Sequence, residues 1–305
     1  HGVLIIPYFL SLEALVIKCI YPHIKIVWFT PRPRLANDSP GFMCVNAMTK
    51  VKGNILSELT TFLQAKIEGS DLSNIPTFLD REPELIATLP SLTPLSDRNY
   101  GSQVKLVGFC LMKRKTTKVD RVPRNLIYAT IGSQGDQYLA ASELFVTTMI
   151  RAMKTENMAQ NNLVLSTGRK RIPFTERDVP SNLKIVAWVN QYDVLGASRA
   201  AVIHGGFGTI KECIALGVPM VIVPLGRDQF INASIVESCG AGIIVNLSTP
   251  SCELRMSSAL DQVMNDPSYR EKIVKLQNEM VQYAGLQSAA AAIQQIEVLS
   301  KFNRV

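Results

Sequence analysis

The sequence predicts an α/β protein built on parallel sheets, and three observations support this fold class. Short apolar, β-branched runs alternate with helical runs from the first residues onward. A glycine-rich turn joins a strand to a helix after residue 204, and a further strand follows that helix. The chain has 305 residues, of which 47% are hydrophobic, so it is long and apolar enough for about two domains.

The first elements form a strand–helix–strand piece. Residues 3–8 and 24–30 have the apolar pattern of strands, and residues 11–21 between them have a helical pattern. Residues 54–67 form a second predicted helix. This order predicts that the N-terminal part of the chain also contains a parallel sheet.

The boundary between the two domains is predicted at residues 113–124. This segment lies between predicted strands at residues 104–109 and 126–131, and it carries six Lys or Arg residues with a single acid. A solvated basic connector is the simplest interpretation of such a composition. No aromatic residues interleave these bases, which argues against nucleic-acid binding.

The glycine-rich turn is the most informative segment of the chain. A β-branched strand ends at His204, three of the next four residues are glycines, including Gly206 and Gly208, and a helical run covers residues 210–216. Free backbone N–H groups and the positive end of a helix dipole therefore converge on one point, which favours an anion. The Thr209 hydroxyl can donate a further hydrogen bond, so a diphosphate could be held there without a metal ion.

Polar and aromatic side chains follow two other predicted strands. Asp228 and Gln229 come after the apolar strand at residues 220–224, and Trp188 comes after the strand at residues 183–187. The carboxyl ends of parallel strands meet at one edge of the sheet, where ligands bind in open α/β sheets. Trp188 offers a flat face on which a nucleobase could stack.

Together these segments resemble the inverting family 1 glycosyltransferases of the GT-B fold, which include plant UDP-sugar transferases and bacterial macrolide glycosyltransferases. The resemblance implies that Trp188 stacks on the uracil or thymine and that Gln191 lies beside the base. It also implies that Glu212 binds the ribose hydroxyls, whereas Asp228 and Gln229 hold the hydroxyls of the sugar.

The same resemblance assigns the diphosphate contacts. His204 would touch the diphosphate, and Gly206, Gly208 and Thr209 would cradle the phosphates. Ser133, in the loop after the predicted strand at 126–131, would lie near the β-phosphate. These residues are expected to form the donor-binding site.

The resemblance is specific over about residues 124–303, and it implies a domain organisation. Two Rossmann-like domains with parallel sheets would face each other across a cleft. Residues 1–112 would form part of an acceptor-binding domain, and residues 125–285 the nucleotide-sugar domain, on either side of the connector. Residues 286–305 would form a helix that packs back towards the N-terminal domain.

The activity implied is transfer of a sugar from a UDP-sugar or dTDP-sugar to a hydroxyl group of a small, lipophilic acceptor. A general base takes the proton of the acceptor hydroxyl, the oxygen attacks C1 with inversion, and the diphosphate leaves. The loop at residues 204–209 stabilises the leaving group in place of a metal ion. No cofactor is expected besides the donor substrate.

The general base cannot be assigned by motif. The resemblance implies that the acceptor domain is only partly present, because the earlier strand–helix units that carry the base histidine have no counterpart here. The aspartate partner of that histidine would fall near Pro7 or Tyr8, and neither is acidic. His1 and His23 are the remaining histidines besides the loop histidine. We therefore expect a fragment that transfers sugar poorly by itself.

Two single residues have simpler structural alternatives. Thr209 and Glu212 have the spacing of a capping box, so Glu212 could satisfy only the helix N-terminus. Trp188, after an apolar strand, could be a buried core residue.

Two other function classes are alternatives to the transferase. A dinucleotide-dependent oxidoreductase is suggested by Asp228, which lies 20 residues after Gly208, but Lys211 stands in place of the third glycine of that fingerprint. A non-catalytic subunit that binds a nucleotide sugar remains an alternative because the base is missing.

The remaining composition limits partners and location. The six cysteines have no CxxC spacing and the chain has three histidines, so we expect reduced thiols and no metal site. No uncharged run of 18 residues occurs, which argues against a membrane segment, and the net charge of +7 is modest for this length. These features favour a cytoplasmic protein whose partners are the nucleotide-sugar donor and a small-molecule acceptor, without membrane contact.

Overall fold

The structure is a computed structural model in which the chain divides into two compact units. Unit 1 comprises His1–Met112 and Gln282–Val305, and unit 2 comprises Lys113–Val281. The predicted connector at 113–124 lies outside the described part of the chain. The structure describes residues 3–34, 38–66, 75–93, 103–111, 125–133, 135–168 and 174–302.

Unit 1 contains a four-stranded parallel sheet in the order β1-β2-β3-β4. Its strands are β1 (Val3–Pro7), β2 (Lys25–Thr30), β3 (Glu84–Ile86) and β4 (Val104–Leu106). The strands predicted from the sequence at 3–8, 24–30 and 104–109 are therefore present, and the last of them is three residues shorter than predicted.

Helices cover both faces of this sheet. They are α1 (Ser11–Ile20), α2 (Pro40–Met48), α3 (Asn54–Lys66), α4 (Ile75–Asp80) and α11 (Leu286–Phe302). Trp28 of β2 is fully buried on the face that α1 to α4 cover. Val27 and Leu85 point to the opposite face, where they pack with Ala289 and Ala292 of α11. The alternation of a strand thus directs neighbouring residues into two separate cores.

A cluster of charged side chains fixes the segment that follows β2. Arg34 forms an ion pair with Glu84, which is 2% exposed and also accepts a hydrogen bond from the Thr30 hydroxyl at 2.6 Å. Arg32 forms an ion pair with Asp38 at 2.6 Å. We call these five residues the charged cluster of unit 1.

Unit 2 contains a six-stranded parallel sheet in the order β10-β9-β8-β5-β6-β7. Its strands are β5 (Leu126–Thr130), β6 (Asn162–Ser166), β7 (Leu183–Val186), β8 (Ala200–Ile203), β9 (Met220–Ile222) and β10 (Gly242–Ile244). Counted from β7, the order is third, second, first, fourth, fifth and sixth strand of the unit, which is the doubly wound arrangement. The central strands β5 and β8 are buried along their whole length, as in parallel sheets covered on both faces.

Helices pack on both sides of this second sheet. They are α5 (Leu139–Ala152), α6 (Gln191–Gly196), α7 (Phe207–Leu216), α8 (Gln229–Ser238), α9 (Cys252–Asn265) and α10 (Pro267–Tyr283). One core, built on Ile127 and Ala129 of β5, joins the sheet to α5 and α9. Tyr128, between them in β5, faces the other side of the sheet.

The state of the cysteines and the presence of membrane-spanning helices can be examined in the described residues. All six cysteines are free thiols, and four of them are buried. Over the ranges that the structure describes, no helix combines the length and apolar composition needed to cross a membrane.

Candidate functional site

The loops after β5, β8 and β9 form the candidate site. β5 and β8 are neighbours at the point where the strand order of unit 2 reverses. Ligands of doubly wound sheets bind outside the carboxyl ends of the strands at this point, because the loops there diverge and leave a crevice. The three loops carry Ser133, His204 and Asp228 respectively.

Two glycines make room for the His204 ring. A Cβ atom at Gly132 or at Gly206 would overlap the imidazole. Gly132 also has φ of +77°, a left-handed conformation that glycine adopts without strain. Any larger residue at either position would push the ring out of its place beside the loop.

His204 is a neutral group in this environment. Burial lowers its pKa from 6.5 to about 4, although the Asp228 carboxylate and the Thr130 backbone act in the opposite direction. Nδ1 is buried and has no hydrogen-bond partner among the described residues. At pH 7 the imidazole can therefore act as a hydrogen-bond donor through one N–H group rather than as a cation.

The N-terminus of α7 follows directly and has no side-chain cap. Gly206 is the N-cap residue with φ of −65°, and α7 begins at Phe207, three residues earlier than predicted. Thr209 and Glu212 are thus the third and sixth residues of the helix, so the capping-box alternative is wrong. An uncapped helix N-terminus presents amide N–H groups and the positive end of the dipole, which suit an anion.

The second and third residues of α7 have different surroundings. Gly208 is exposed, and a Cβ there would meet nothing within 4 Å, so the protein itself does not require glycine at this position. Thr209 is buried at 8% exposure, and its hydroxyl accepts a hydrogen bond from Gln191 Nε2 at 3.4 Å. Lys211 Nζ lies 5.0 Å from the centre of the Phe207 ring and is itself buried.

Gln191 and Glu212 are joined directly. Gln191 Nε2 donates to Glu212 Oε2 at 2.6 Å, and Gln191 Oε1 accepts from the Tyr128 hydroxyl at 3.2 Å. The three side chains come from the start of α6, from α7 and from β5. The network therefore holds a carboxylate at the edge of the sheet near the α7 terminus.

The loop after β9 is braced by its own polar side chains. Gln229 Oε1 accepts hydrogen bonds from the backbone N–H groups of Leu225 and Gly226 at 2.8 and 3.1 Å. Asn232 Nδ2 donates to Asp228 Oδ2 and to the Gly205 carbonyl, both at 3.0 Å. These bonds tie the Asp228 loop to the glycine loop.

Two predicted residues lie at the surface. Ser133 is exposed directly after Gly132. Trp188 is 72% exposed two residues after the end of β7, so the alternative that it packs in the core is wrong. An exposed indole beside polar strand ends is available as a stacking surface.

The structure therefore brings most of the predicted residues into two connected groups. One group is the bonded set at α6 and α7, and the other is the histidine with its glycines and the Asp228 loop. They comprise Gln191, Thr209 and Glu212 in the first group and His204, Gly206, Asp228 and Gln229 in the second.

The sequence interpretation missed Tyr128 and Asn232 as members of the site. Tyr128 lies in the middle of an apolar strand and has the pattern of a core residue, so no local signal marked it. Asn232 lies four residues after Asp228 on a helix, which is a spacing that brings side chains together, and this signal could have identified it.

The described residues contain no group of three or more His, Cys, Asp or Glu side chains arranged to hold a metal ion. The anion-binding elements of the site are hydrogen-bond donors and a helix end, so the arrangement can attract negative charge through the protein's own groups.

Sequence comparison relates the chain to known proteins. Residues 155–294 match the family described as Erythromycin biosynthesis protein CIII-like, C-terminal domain. The chain is 28% identical to oleandomycin glycosyltransferase of Streptomyces antibioticus over 213 residues, which are 70% of this chain and 49% of that protein. It is 42% identical to UDP-glucuronosyltransferase 1A9 of Homo sapiens over 103 residues, 32% of this chain and 19% of that protein.

The chain thus spans about half the length of the first relative and less of the second. In three dimensions it is similar to the crystal structure of the glycotransferase of kitacinnamycin, with a TM-score of 0.75 and 23% identity. The match covers 96% of this chain and 75% of that one. At this level of identity the similarity shows a shared fold.

Proposed function

We propose that the chain is a family 1 glycosyltransferase of the GT-B fold, as the sequence predicted, and that unit 2 binds a nucleotide sugar. The whole protein would move the sugar from UDP or dTDP to a hydroxyl group of a small, lipophilic acceptor. The observation that carries the proposal is a neutral, half-buried His204 beside the uncapped N-terminus of α7 at the strand-order reversal.

The diphosphate would bind at this point without a metal ion. The first N–H groups of α7, including those of Gly208 and Thr209, would donate to phosphate oxygens, and His204 would add one N–H. Ser133, which is exposed in the loop after β5, would donate to the β-phosphate. The same donors would stabilise the diphosphate as it leaves, because negative charge grows on it in the transition state.

The nucleoside would bind on the side of Trp188 and Glu212. The exposed indole would stack on the base, and the carboxylate would accept hydrogen bonds from the ribose hydroxyls. UDP is preferred in the proposal because the chain is 42% identical to a UDP-glucuronosyltransferase over the matched residues. A deoxyribose would offer this carboxylate one hydroxyl fewer.

The sugar would bind at the loop after β9. Asp228 and Gln229 lie there as the N-cap and first residue of α8. Gln229 accepts hydrogen bonds from the loop backbone and Asp228 accepts one from Asn232 of α8, and these bonds hold both side chains in place. Preorganised polar groups lose little freedom when they bind sugar hydroxyls.

The general base is not assigned to a described residue. His23 is exposed in the turn before β2, at the amino end of that strand, whereas ligands of parallel sheets bind at the carboxyl ends. His1 lies outside the described residues. With a base supplied, the acceptor oxygen would attack C1 of the sugar as the bond to the diphosphate breaks, which inverts the anomeric carbon.

The proposal includes the partners and the location. We propose a cytoplasmic protein whose ligands are the donor and the small acceptor, with no cofactor, nucleic acid or membrane partner. Six free thiols are compatible with a reducing compartment.

Titration calorimetry with UDP in the presence of EDTA tests the central proposal. We expect the 305-residue chain to bind UDP, and His204→Ala to weaken binding about tenfold or more, since a hydrogen bond to a charged group contributes roughly 1.5–3 kcal/mol. The matched control His23→Ala should bind as the wild type does.

Three outcomes would count against parts of this account. Absence of binding to UDP and dTDP at millimolar concentration would reject the nucleotide-sugar site. Selective binding of NAD would favour an oxidoreductase. Unchanged affinity of His204→Ala would remove this histidine from the site while the rest of the proposal stood.

A further inference from the structure

We infer that Tyr128 is a positioning residue, which holds Gln191 and through it Glu212 in the orientation that the site presents to a ribose. The inference rests on the proposed function for its ligand, but its geometric part concerns this chain alone. Tyr128 lies in β5, is 1% exposed, and reaches the site only through its hydroxyl group.

The ring of Tyr128 packs in the core, whereas its hydroxyl group makes a hydrogen bond at the site. Ile127 and Ala129 on either side belong to the core that faces α5 and α9, so strand alternation places the Tyr128 ring on the face of α6 and α7. Burial raises the pKa of the phenol, although hydrogen bonds with the Thr130 and Ser166 side chains act in the opposite direction, so the hydroxyl keeps its proton and can donate. A phenylalanine would fill the same space but would lose this donor.

Hydrogen bonds hold both the oxygen and the nitrogen of the Gln191 side-chain amide. Its Oε1 accepts from Tyr128 at 3.2 Å, and its Nε2 donates to Glu212 Oε2 at 2.6 Å and to the Thr209 hydroxyl at 3.4 Å. The nitrogen of the Gln191 amide faces the Glu212 carboxylate, because an amide oxygen in that place would be repelled by the negative charge. The Tyr128 hydroxyl then fixes the position of the Gln191 side chain, since it donates to the single oxygen of the amide.

This arrangement makes the carboxylate depend on a buried hydroxyl. Gln191 is the first residue of α6, a helix of six residues, and its side chain is long and flexible. Without the Tyr128 hydroxyl the Gln191 amide loses one of its three hydrogen bonds, and Glu212 loses a donor that is held in place. A carboxylate that moves freely binds a diol less strongly, because the freedom is lost on binding.

The expected effect is specific for the ribose. Tyr128→Phe should weaken UDP about fivefold, the size of one neutral hydrogen bond. It should change the affinity for the 2′,3′-dideoxy analogue of UDP less than about twofold, because that ligand makes no hydrogen bond to the carboxylate. Gln191→Ala should weaken UDP similarly, and the double variant should show no further loss, as expected for residues that act as a unit.

The matched control is Tyr269→Phe. It removes a hydroxyl that accepts a hydrogen bond from Gln262 Nε2 at 3.0 Å elsewhere in unit 2, so it reports the general cost of losing such a group. Thermal unfolding of each variant identifies any that fail to fold. Equal losses for UDP and the dideoxy analogue in Tyr128→Phe would overturn the inference, as would additive losses in the double variant.

A measurement without ligand separates this inference from the proposed function. The side-chain amide protons of Gln191 can be assigned by their loss from the ¹H–¹⁵N spectrum of Gln191→Ala. We expect Tyr128→Phe to shift these resonances and Tyr269→Phe to leave them unchanged. If the wild type did not bind UDP but this shift were seen, the proposed function would fail and the positioning by Tyr128 would stand. If UDP bound and the resonances did not move, the inference would be wrong.

Discussion

The two units place polar groups near strand ends in opposite ways. In unit 1 the charges are matched to each other: Glu84 pairs with Arg34, and Arg32 pairs with Asp38 and donates to the Tyr8 hydroxyl at 2.7 Å. In unit 2 the helix terminus at the glycine loop has no side-chain cap, and the half-buried histidine beside it is neutral. Charges that neutralise one another hold a loop in place, whereas an uncapped helix N-terminus attracts an external anion.

Burial shifts the pKa values of Glu84 and His204 in opposite directions, because it disfavours the charged form of each. It raises the pKa of the Glu84 carboxyl, and the Arg34 charge and the Thr30 hydroxyl oppose that shift. It lowers the pKa of His204, and the Asp228 charge and the Thr130 backbone oppose that shift. Glu84 is thus stabilised as an ion by its partners, and His204 is left as a neutral donor.

The largest expected effect comes from breaking the pair in unit 1. Arg34→Met would leave Glu84 buried without its cation, which should cost about 3–5 kcal/mol of stability. UDP affinity should stay unchanged in the folded fraction, because the proposed contacts lie in unit 2. Urea unfolding and calorimetry measure the two quantities. Arg81→Met, at an exposed position of the same unit, should change stability by less than about 0.5 kcal/mol.

This contrast fails if Arg34→Met weakens UDP as strongly as it destabilises the protein. Such a result would mean that the charged cluster takes part in nucleotide binding.

The second effect is a pH dependence of stability from His204. Its pKa is about 4 in the folded protein against 6.5 when exposed, so protonation favours the unfolded chain. The contribution is complete above pH 6.5 and is lost as the pH falls towards 4, by roughly 3 kcal/mol in all. We expect urea unfolding of the wild type to lose this much more stability than His204→Gln between pH 7.5 and 4.

The comparison with His204→Gln removes the contribution of the other titrating groups, which both proteins share. Parallel stability curves over this pH range would show that the imidazole is not buried as the structure describes.

The smallest of these effects concerns Glu212. Glu212→Gln keeps a group that can accept from Gln191 but removes the charge, so we expect UDP to weaken by about 1–2 kcal/mol and the 2′,3′-dideoxy analogue to bind almost as before. Titration calorimetry measures both affinities. Glu237→Gln is the matched control, because Glu237 accepts a backbone hydrogen bond from Ile244 at 2.8 Å in the same unit. Equal weakening of both nucleotides would contradict the ribose assignment.

The sequence was sufficient for the fold class and for the strands that carry the site. Strand and helix periodicities are local properties, so β8 and β9 were predicted within a few residues of their observed bounds. The start of α7 was predicted three residues late because Gly208 is a poor helix former and made the segment look like a loop. That error also produced the capping-box alternative.

Contacts between distant parts of the chain could not be predicted. Tyr128 and Gln191 are 63 residues apart, and Arg34 and Glu84 are 50 residues apart. Tyr128 and Glu84 lie in strands, and Gln191 and Arg34 lie in segments that follow other strands of the same sheets, so each pair meets only in the folded sheet. The sequence shows an apolar strand around Tyr128 and gives no sign that its hydroxyl leaves the core.

The most direct test of the account is a crystal structure of the 305-residue chain grown with UDP and EDTA. We predict the diphosphate at the N-terminus of α7, with phosphate oxygens about 2.7–3.2 Å from His204 and from the backbone N–H groups of Gly208 or Thr209. Nucleotide bound elsewhere, or a diphosphate that reaches this point only through a metal ion, would contradict the central claim.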